Sequence, residues 1–227
     1  MNESTLFFIF ELIGTVAFAA SGVVTALERE LDLFGALVLG TAAAVGGGVI
    51  RDLILGYLPP AAFRHPVYAL VALGTAAVGF AIAYFAGRRT RPHLGVYVQI
   101  LNLFDSVGLA VFTVAGVRSA AACGFGENAF LSVFVGLLTG VGGGVLRDIM
   151  AGQVPSILRK RIYALAAVGG ALIYYYLCDF HLCSERIAVL AGAGAVLLIR
   201  LLATVFHWNL PRLRGPKDAD AAQTASH

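Results

Sequence analysis

Seven stretches of the chain are apolar almost from end to end. Each is close to the length of about 20 residues that carries a helix across the hydrocarbon core of a bilayer. They run over about 5–27, 34–56, 66–86, 97–117, 129–151, 162–179 and 186–206. Polar positions fall between them: EREL at 28–31, LPPAAFRHP at 58–66, GRRTRPH at 87–93, GFGEN at 124–128 and PSILRKR at 155–161. The pattern predicts an all-α membrane protein, seven transmembrane helices in a single membrane domain over residues 1–206. Residues 207–227 are polar and Ala-rich and read as a disordered cytoplasmic tail, with Trp208 as an anchor at the interface.

The apolar segments fall into two copies of one unit. Residues 45–52 read VGGGVIRD, and 96 positions on, residues 141–148 read VGGGVLRD. Glu11-Leu12-Ile13-Gly14 matches Asp105-Ser106-Val107-Gly108, and Tyr68-Ala69-Leu70 matches Tyr163-Ala164-Leu165. Gly22 matches Gly116, Gly40 matches Gly136, Gly56 matches Gly152 and Pro59 matches Pro155. Repeat one then spans about 5–86 and repeat two about 97–179, with a seventh helix left over at about 186–206. A chain that crosses three times ends on the opposite side from where it began. The two three-helix repeats must therefore be inverted, related by a pseudo-two-fold axis in the membrane plane.

Composition agrees with the pattern: 59% of the 227 residues are hydrophobic and only 13% charged, against about 25% in a typical soluble domain. The net charge of +3 is small, and no basic cluster is interleaved with aromatics, which argues against nucleic-acid binding. The distribution of charge says more. Ten Lys or Arg collect on one side (Arg29, Arg88, Arg89, Arg91, Arg159, Lys160, Arg161, Arg212, Arg214, Lys217) and three on the other (Arg64, Arg118, Arg186). By the positive-inside bias the N-terminus is outside and the C-terminus cytoplasmic. The first segment has no positive lead and carries Glu11 within its apolar run, so it reads as a retained helix and not a cleaved signal. Cys123, Cys178 and Cys183 fall near the outer face. There a disulfide is permitted, although small apolar fillers are the simpler reading.

The repeated glycine–arginine–aspartate stretch is where chemistry is expected. Three glycines in a helix interior cost about 1 kcal/mol each relative to Ala. An Arg or Asp at the centre of a spanning helix costs about 2.5–3.5 kcal/mol. Close packing explains glycines in membrane helices. Followed by Arg-Asp in both halves, Gly46, Gly47, Gly48 and Gly142, Gly143, Gly144 read instead as kinks or short unwound stretches lining a wet gap. Adjacent residues on a helix point about 100° apart, so Arg51 is expected to meet Asp148 or another acid of the opposite half, and Arg147 to meet Asp52, across the two-fold. Snorkelling of these charges to the headgroups is the bland alternative. Glu11 and Asp105 form a second matched pair of acids, suited to a vestibule. Thr15, Ser21, Thr25, Ser106 and Thr113 are candidates for a polar stripe, although such hydroxyls commonly bond to their own helix. No HExxH, CxxC or GxSxG is present, and the five histidines lie in loops, at helix ends or in the tail. The chain is therefore not expected to be an enzyme, and neither a structural metal nor a cofactor is expected.

Two GGGxxRD motifs, in the second and fifth spans of a 3+3+1 chain, resemble the prokaryotic members of the TRIC (trimeric intracellular cation) channel family over roughly residues 6–206. The resemblance implies a homotrimer with one potassium-permeable pore per protomer. That pore is lined by the first, second, fourth and fifth spans around the glycine kinks, with Arg51, Asp52, Arg147 and Asp148 beside them. K+ or Na+ is the implied permeant ion, and membrane lipids are the implied surroundings, with no other protein partner. The implied location is the prokaryotic inner membrane. Related bacterial sequences also go by the name of glycine transporter domains, which keeps open a second reading: a secondary carrier for glycine or another small zwitterion. The acidic phosphoinositide bound by animal members has no independent support in these residues.

Overall fold

The computed structural model describes residues 3–87, 94–159 and 161–206. The elements run α1 (Glu3–Glu28), α2 (Leu33–Ile54), α3 (Ala61–Arg64), α4 (Val67–Gly87), α5 (Leu94–Ala120), a π-helical turn (Ala121–Phe125), α6 (Ala129–Met150), α7 (Ser156–Arg159), α8 (Arg161–Asp179) and α9 (Glu185–Val205). Seven of these are long and apolar enough to cross a membrane: α1, α2, α4, α5, α6, α8 and α9. They coincide with the seven apolar segments to within a few residues. The tail at 207–227, the 88–93 loop with Arg88, Arg89 and Arg91, and Lys160 lie outside the described residues.

Each half packs the same way. α1, α2 and α4 form one three-helix unit, and α5, α6 and α8 form the other. The units meet through α1 on α5 and α2 on α6, while α9 packs on α5 and α8. The order of elements is therefore the inverted repeat plus one. α4 lies at the periphery, with Leu70, Val78, Ile82 and Phe85 exposed, as a face turned to lipid requires.

The repeat-matched glycines are the points where helices cross. A Cβ on Gly22 would lie 2.5 Å from the Gly40 Cα, and one on Gly116 would lie 2.8 Å from the Gly136 Cα. These are the α1–α2 and α5–α6 crossings of the two halves. Between the halves, Gly14 faces Val111 and Gly108 faces the Phe18 ring, at 2.6 and 2.3 Å from a Cβ. Phe18 then stacks on Phe112 at 5.4 Å between ring centres. In lipid, association rests on such packing, because no hydrophobic gain separates helix from acyl chain.

Local signals set the ends of the two glycine helices alike. Asp32 caps α2 by accepting from the Gly35 amide at 2.8 Å, and Asn128 caps α6 by accepting from Leu131 at 2.9 Å. At the other ends, Gly56 and Gly152 take positive φ of 70° and 67°. The following amides, of Tyr57 and Gln153, return to the Asp52 and Asp148 carbonyls at 2.8 Å each. This is the Schellman closure that a left-handed glycine permits.

Candidate functional site

α2 and α6 run unbroken through their glycines. The expected unwound stretch is absent, and the glycines divide their labour differently. A Cβ on Gly47 would sit 2.3 Å from the Thr139 carbonyl oxygen, and one on Gly143 only 1.9 Å from that of Ala43. Gly46 and Gly142 meet the Leu146 and Ile50 side chains at 2.4 and 3.3 Å from a Cβ. These four glycines seal the halves together with the helix intact, so the packing reading holds for them. Gly48 and Gly144 differ. A Cβ on Gly48 would meet only the Arg51 Nη2, at 3.8 Å, and one on Gly144 would face the Tyr163 hydroxyl, Asp105 and Arg147. The third glycine of each copy makes room for the arginine one turn on.

The Arg–Asp pairs also correct the expectation. Arg51 donates from Nε to its own neighbour Asp52 at 2.8 Å. Arg147 donates to Asp148 from Nε at 2.9 Å and from Nη2 at 2.7 Å. Pairing across the two-fold is therefore replaced by pairing within each motif. The side chains are long enough to close the 100° gap when both curl toward the same cavity. The second carboxylate oxygen explains the adjacency. Asp52 Oδ2 accepts from the Ala61 amide at 2.7 Å, and Asp148 Oδ2 accepts from the Ser156 amide at 2.7 Å. Each aspartate ties the end of a glycine helix to the first turn of a short helix, α3 or α7. Snorkelling is excluded for Arg147, which is 0% exposed, and Arg51 is 9% exposed.

Around these motifs the matched acids and tyrosines complete two clusters of unequal content. In the first, Tyr68 donates to Glu11 at 2.5 Å. A cavity of about 150 Å³ lies against Glu11, Thr15, Gly48, Arg51, Asp52 and His65. Arg51, bound through its Nε to Asp52, lines that cavity. In the second, Arg147 Nη1 donates to Asp105 at 2.9 Å and to Ser21 at 2.8 Å, reaching into the other half. Tyr163 donates to Asp105, as Tyr68 does to Glu11. Arg200 of α9 adds a second guanidinium: its Nε donates to Ser106 at 3.2 Å, its Nη2 lies 4.0 Å from Asp105, and it stacks over Tyr163 at 4.7 Å. The first cluster borders a cavity, and the second is buried around two guanidinia.

The hydroxyls behave as membrane hydroxyls do. Thr15, Ser21, Thr25 and Ser106 donate to the carbonyls of Glu11, Phe18, Ser21 and Asn102. Ser21 and Ser106 also accept from arginines, so they join the second cluster. Thr113 is buried at the α5–α6 crossing without a partner, away from both clusters. Sequence reasoning missed Arg200, although a lone arginine in the apolar run AVLLIRLLATV was signal enough. It matched Tyr68 with Tyr163 without assigning them a role, and it passed over His65. The three cysteines are free thiols, with Cys123 exposed. No group of His, Cys, Asp and Glu among the described residues could hold a metal ion.

The fold and the paired clusters define an integral membrane protein of inverted-repeat architecture with charges held inside its spans. Comparison with known proteins narrows the class. The family model described as "Glycine transporter" matches residues 8–84 and 102–179, one match per repeat. A UPF0126 membrane protein of Deinococcus radiodurans is 40% identical over 205 residues, covering 89% of this chain and 88% of its own. A solved TRIC cation channel structure agrees with a TM-score of 0.78 at 36% identity, covering 92% of this chain and 98% of its own. The TRIC orthologue from Rhodobacter sphaeroides agrees with a TM-score of 0.80 at 32% identity, over 90% of this chain and 100% of its own. The chain belongs to the prokaryotic TRIC family.

Proposed function

We propose that the protein is a cation channel permeable to potassium and other monovalent cations, a homotrimer with one pore per protomer. It needs no cofactor and lies in the inner membrane with its N-terminus outside. The observation that carries this reading is the pair of symmetry-related clusters inside the spans, one facing an open cavity and one filled by arginine. The cavity holds two carboxylates, Glu11 and Asp52, against one guanidinium, Arg51. A vestibule of that sign concentrates cations over anions. The path continues beside Gly48 and Gly144, which add no side chain, rather than through a break in α2 or α6. Its barrier is the Arg147 guanidinium, held by Asp105, Asp148 and Ser21. Opening requires that guanidinium to swing away from Asp105, a shift between two arrangements of α6. The kinship with solved TRIC cation channels supports cation conduction and, through the trimeric orthologue, the assembly.

Single-channel recording of the purified protein in planar bilayers tests the reading. Discrete currents with a reversal potential set by K+ and not Cl− are expected. A silent bilayer with an assembled protein overturns it. A second reading has one observation in its favour: the cavity presents a guanidinium and a carboxylate together, the recognition set for the two ends of a small zwitterion. Saturable glycine uptake into proteoliposomes without unitary currents selects that carrier.

A further inference from the structure

We propose that Arg200, carried by the one span without a counterpart in the repeat, makes the two ends of the conduction path electrostatically unequal and so rectifies potassium current. The inference rests on the channel reading above. The repeat supplies each half with the same set: an acid on the first helix (Glu11 or Asp105), an Arg–Asp pair on the second (Arg51–Asp52 or Arg147–Asp148), and a tyrosine on the third (Tyr68 or Tyr163). By themselves these give each cluster one guanidinium against two carboxylates, a formal charge of −1. α9 packs on α5 and α8, and Arg200, only 4% exposed, reaches Asp105, Ser106 and Tyr163. Two guanidinia against two carboxylates bring the second cluster to zero, while the first stays at −1.

Pairing of Asp105 does not require this extra cation. Asp105 already accepts from Arg147 at 2.9 Å and from Tyr163. The first cluster, with the same acid–tyrosine pair, stands without a second arginine. A buried arginine in a spanning helix is costly, and what it alters here is the balance of charge between the two ends. Cations are enriched at the Glu11 end and not at the Asp105 end. At equal salt on both sides, the polarity that drives cations in from the Glu11 end carries the larger current.

The test is the current–voltage relation of the full-length protein in planar bilayers with symmetric KCl, for wild type, Arg200→Met, Arg200→Lys and Glu11→Gln. Wild type is expected to rectify at about 0.1 M salt and to become linear at about 1 M, where the Debye length is about 3 Å. Arg200→Met is expected to remove the rectification by raising the smaller current, a change of about two- to fivefold for one elementary charge. Arg200→Lys is expected to keep it. Glu11→Gln reaches the same linear relation from the other side, by lowering the larger current. A linear wild type at about 0.1 M overturns the proposal, as does an assembled Arg200→Met with the wild-type ratio. Should Arg200→Met fail to assemble, Glu11→Gln decides, and an unchanged ratio there overturns it. Absence of unitary current in wild type sinks the channel reading itself, whereas currents with an unaltered ratio sink only the role of Arg200.

Discussion

Arg147 donates to Asp105 at 2.9 Å with both side chains almost fully buried, whereas their repeat counterparts, Arg51 and Glu11, border one cavity without bonding to each other. One repeated arrangement thus exists in two forms within a single chain. Removing Arg147 would leave two buried carboxylates with only Arg200, 4.0 Å from Asp105, as a neighbouring cation. Arg147→Met is therefore expected to cost about 3–5 kcal/mol, the range for breaking a buried pair from one side. Arg51→Met, which strands only Asp52 beside a cavity, should cost clearly less. Thermal unfolding of the two variants in detergent gives the order. Double-mutant cycles should find coupling for Arg147 with Asp105 and none for Arg51 with Asp148.

The glycines of the two motifs should separate by position. Gly143→Ala drives a methyl into the Ala43 carbonyl, and Gly47→Ala drives one into that of Thr139. Each is expected to cost at least about 1–3 kcal/mol of stability as overpacking. Gly48→Ala has only the tip of Arg51 within 4 Å. It should assemble normally and alter conduction alone. Melting temperature and single-channel conductance, measured on the same preparations, distinguish the two outcomes.

Asp52 is expected to hold α3 in place. Asp52→Ala removes the acceptor of the Ala61 amide along with the partner of Arg51, and a lost cap of this kind costs about 0.5–2 kcal/mol. Hydrogen exchange over residues 57–66 should accelerate by an order of magnitude or so while α6 is unchanged. Asp148→Ala should do the same to residues 152–159. Protection that survives in both variants would show that the short helices stand without the aspartates.

Tyr68→Phe and Tyr163→Phe should differ although they are repeat partners. The first deprives a carboxylate that faces a cavity, and it should change conductance by about two- to tenfold, the scale of one hydrogen bond. The second deprives an acid already bound by Arg147, and it should register in stability before it registers in current.

Orientation is open to a direct check. Cys123 is exposed in the turn that follows α5, and the positive-inside count puts that turn outside. In a Cys178→Ser, Cys183→Ser background, a membrane-impermeant maleimide should label intact cells. Labelling only after lysis reverses the topology.

The spans, the repeat and its inversion were legible in the sequence because each is written in local or periodic terms. Lipid demands about 20 apolar residues per crossing, and an odd number of crossings per copy dictates the inversion. The crossing glycines, Gly22 with Gly40 and Gly116 with Gly136, were likewise marked by their match. The motif arginines and aspartates were marked too, because a charge inside an apolar run must have a use.

What each charge binds was decided by the tertiary structure alone. Helical spacing argued against Arg51 pairing with Asp52, yet a long side chain bent toward a shared cavity outweighs the angle between adjacent Cα–Cβ bonds. Whether six glycines break a helix or seal one depends on what lies across from them: the Thr139 and Ala43 carbonyls for Gly47 and Gly143, and the tip of an arginine for Gly48. The inequality of the two halves depends in the same way on α9, which lies outside the repeat and packs mainly on α5 and α8. Apolar length is a property of the chain, whereas partner, cavity and sign of charge belong to the space between helices.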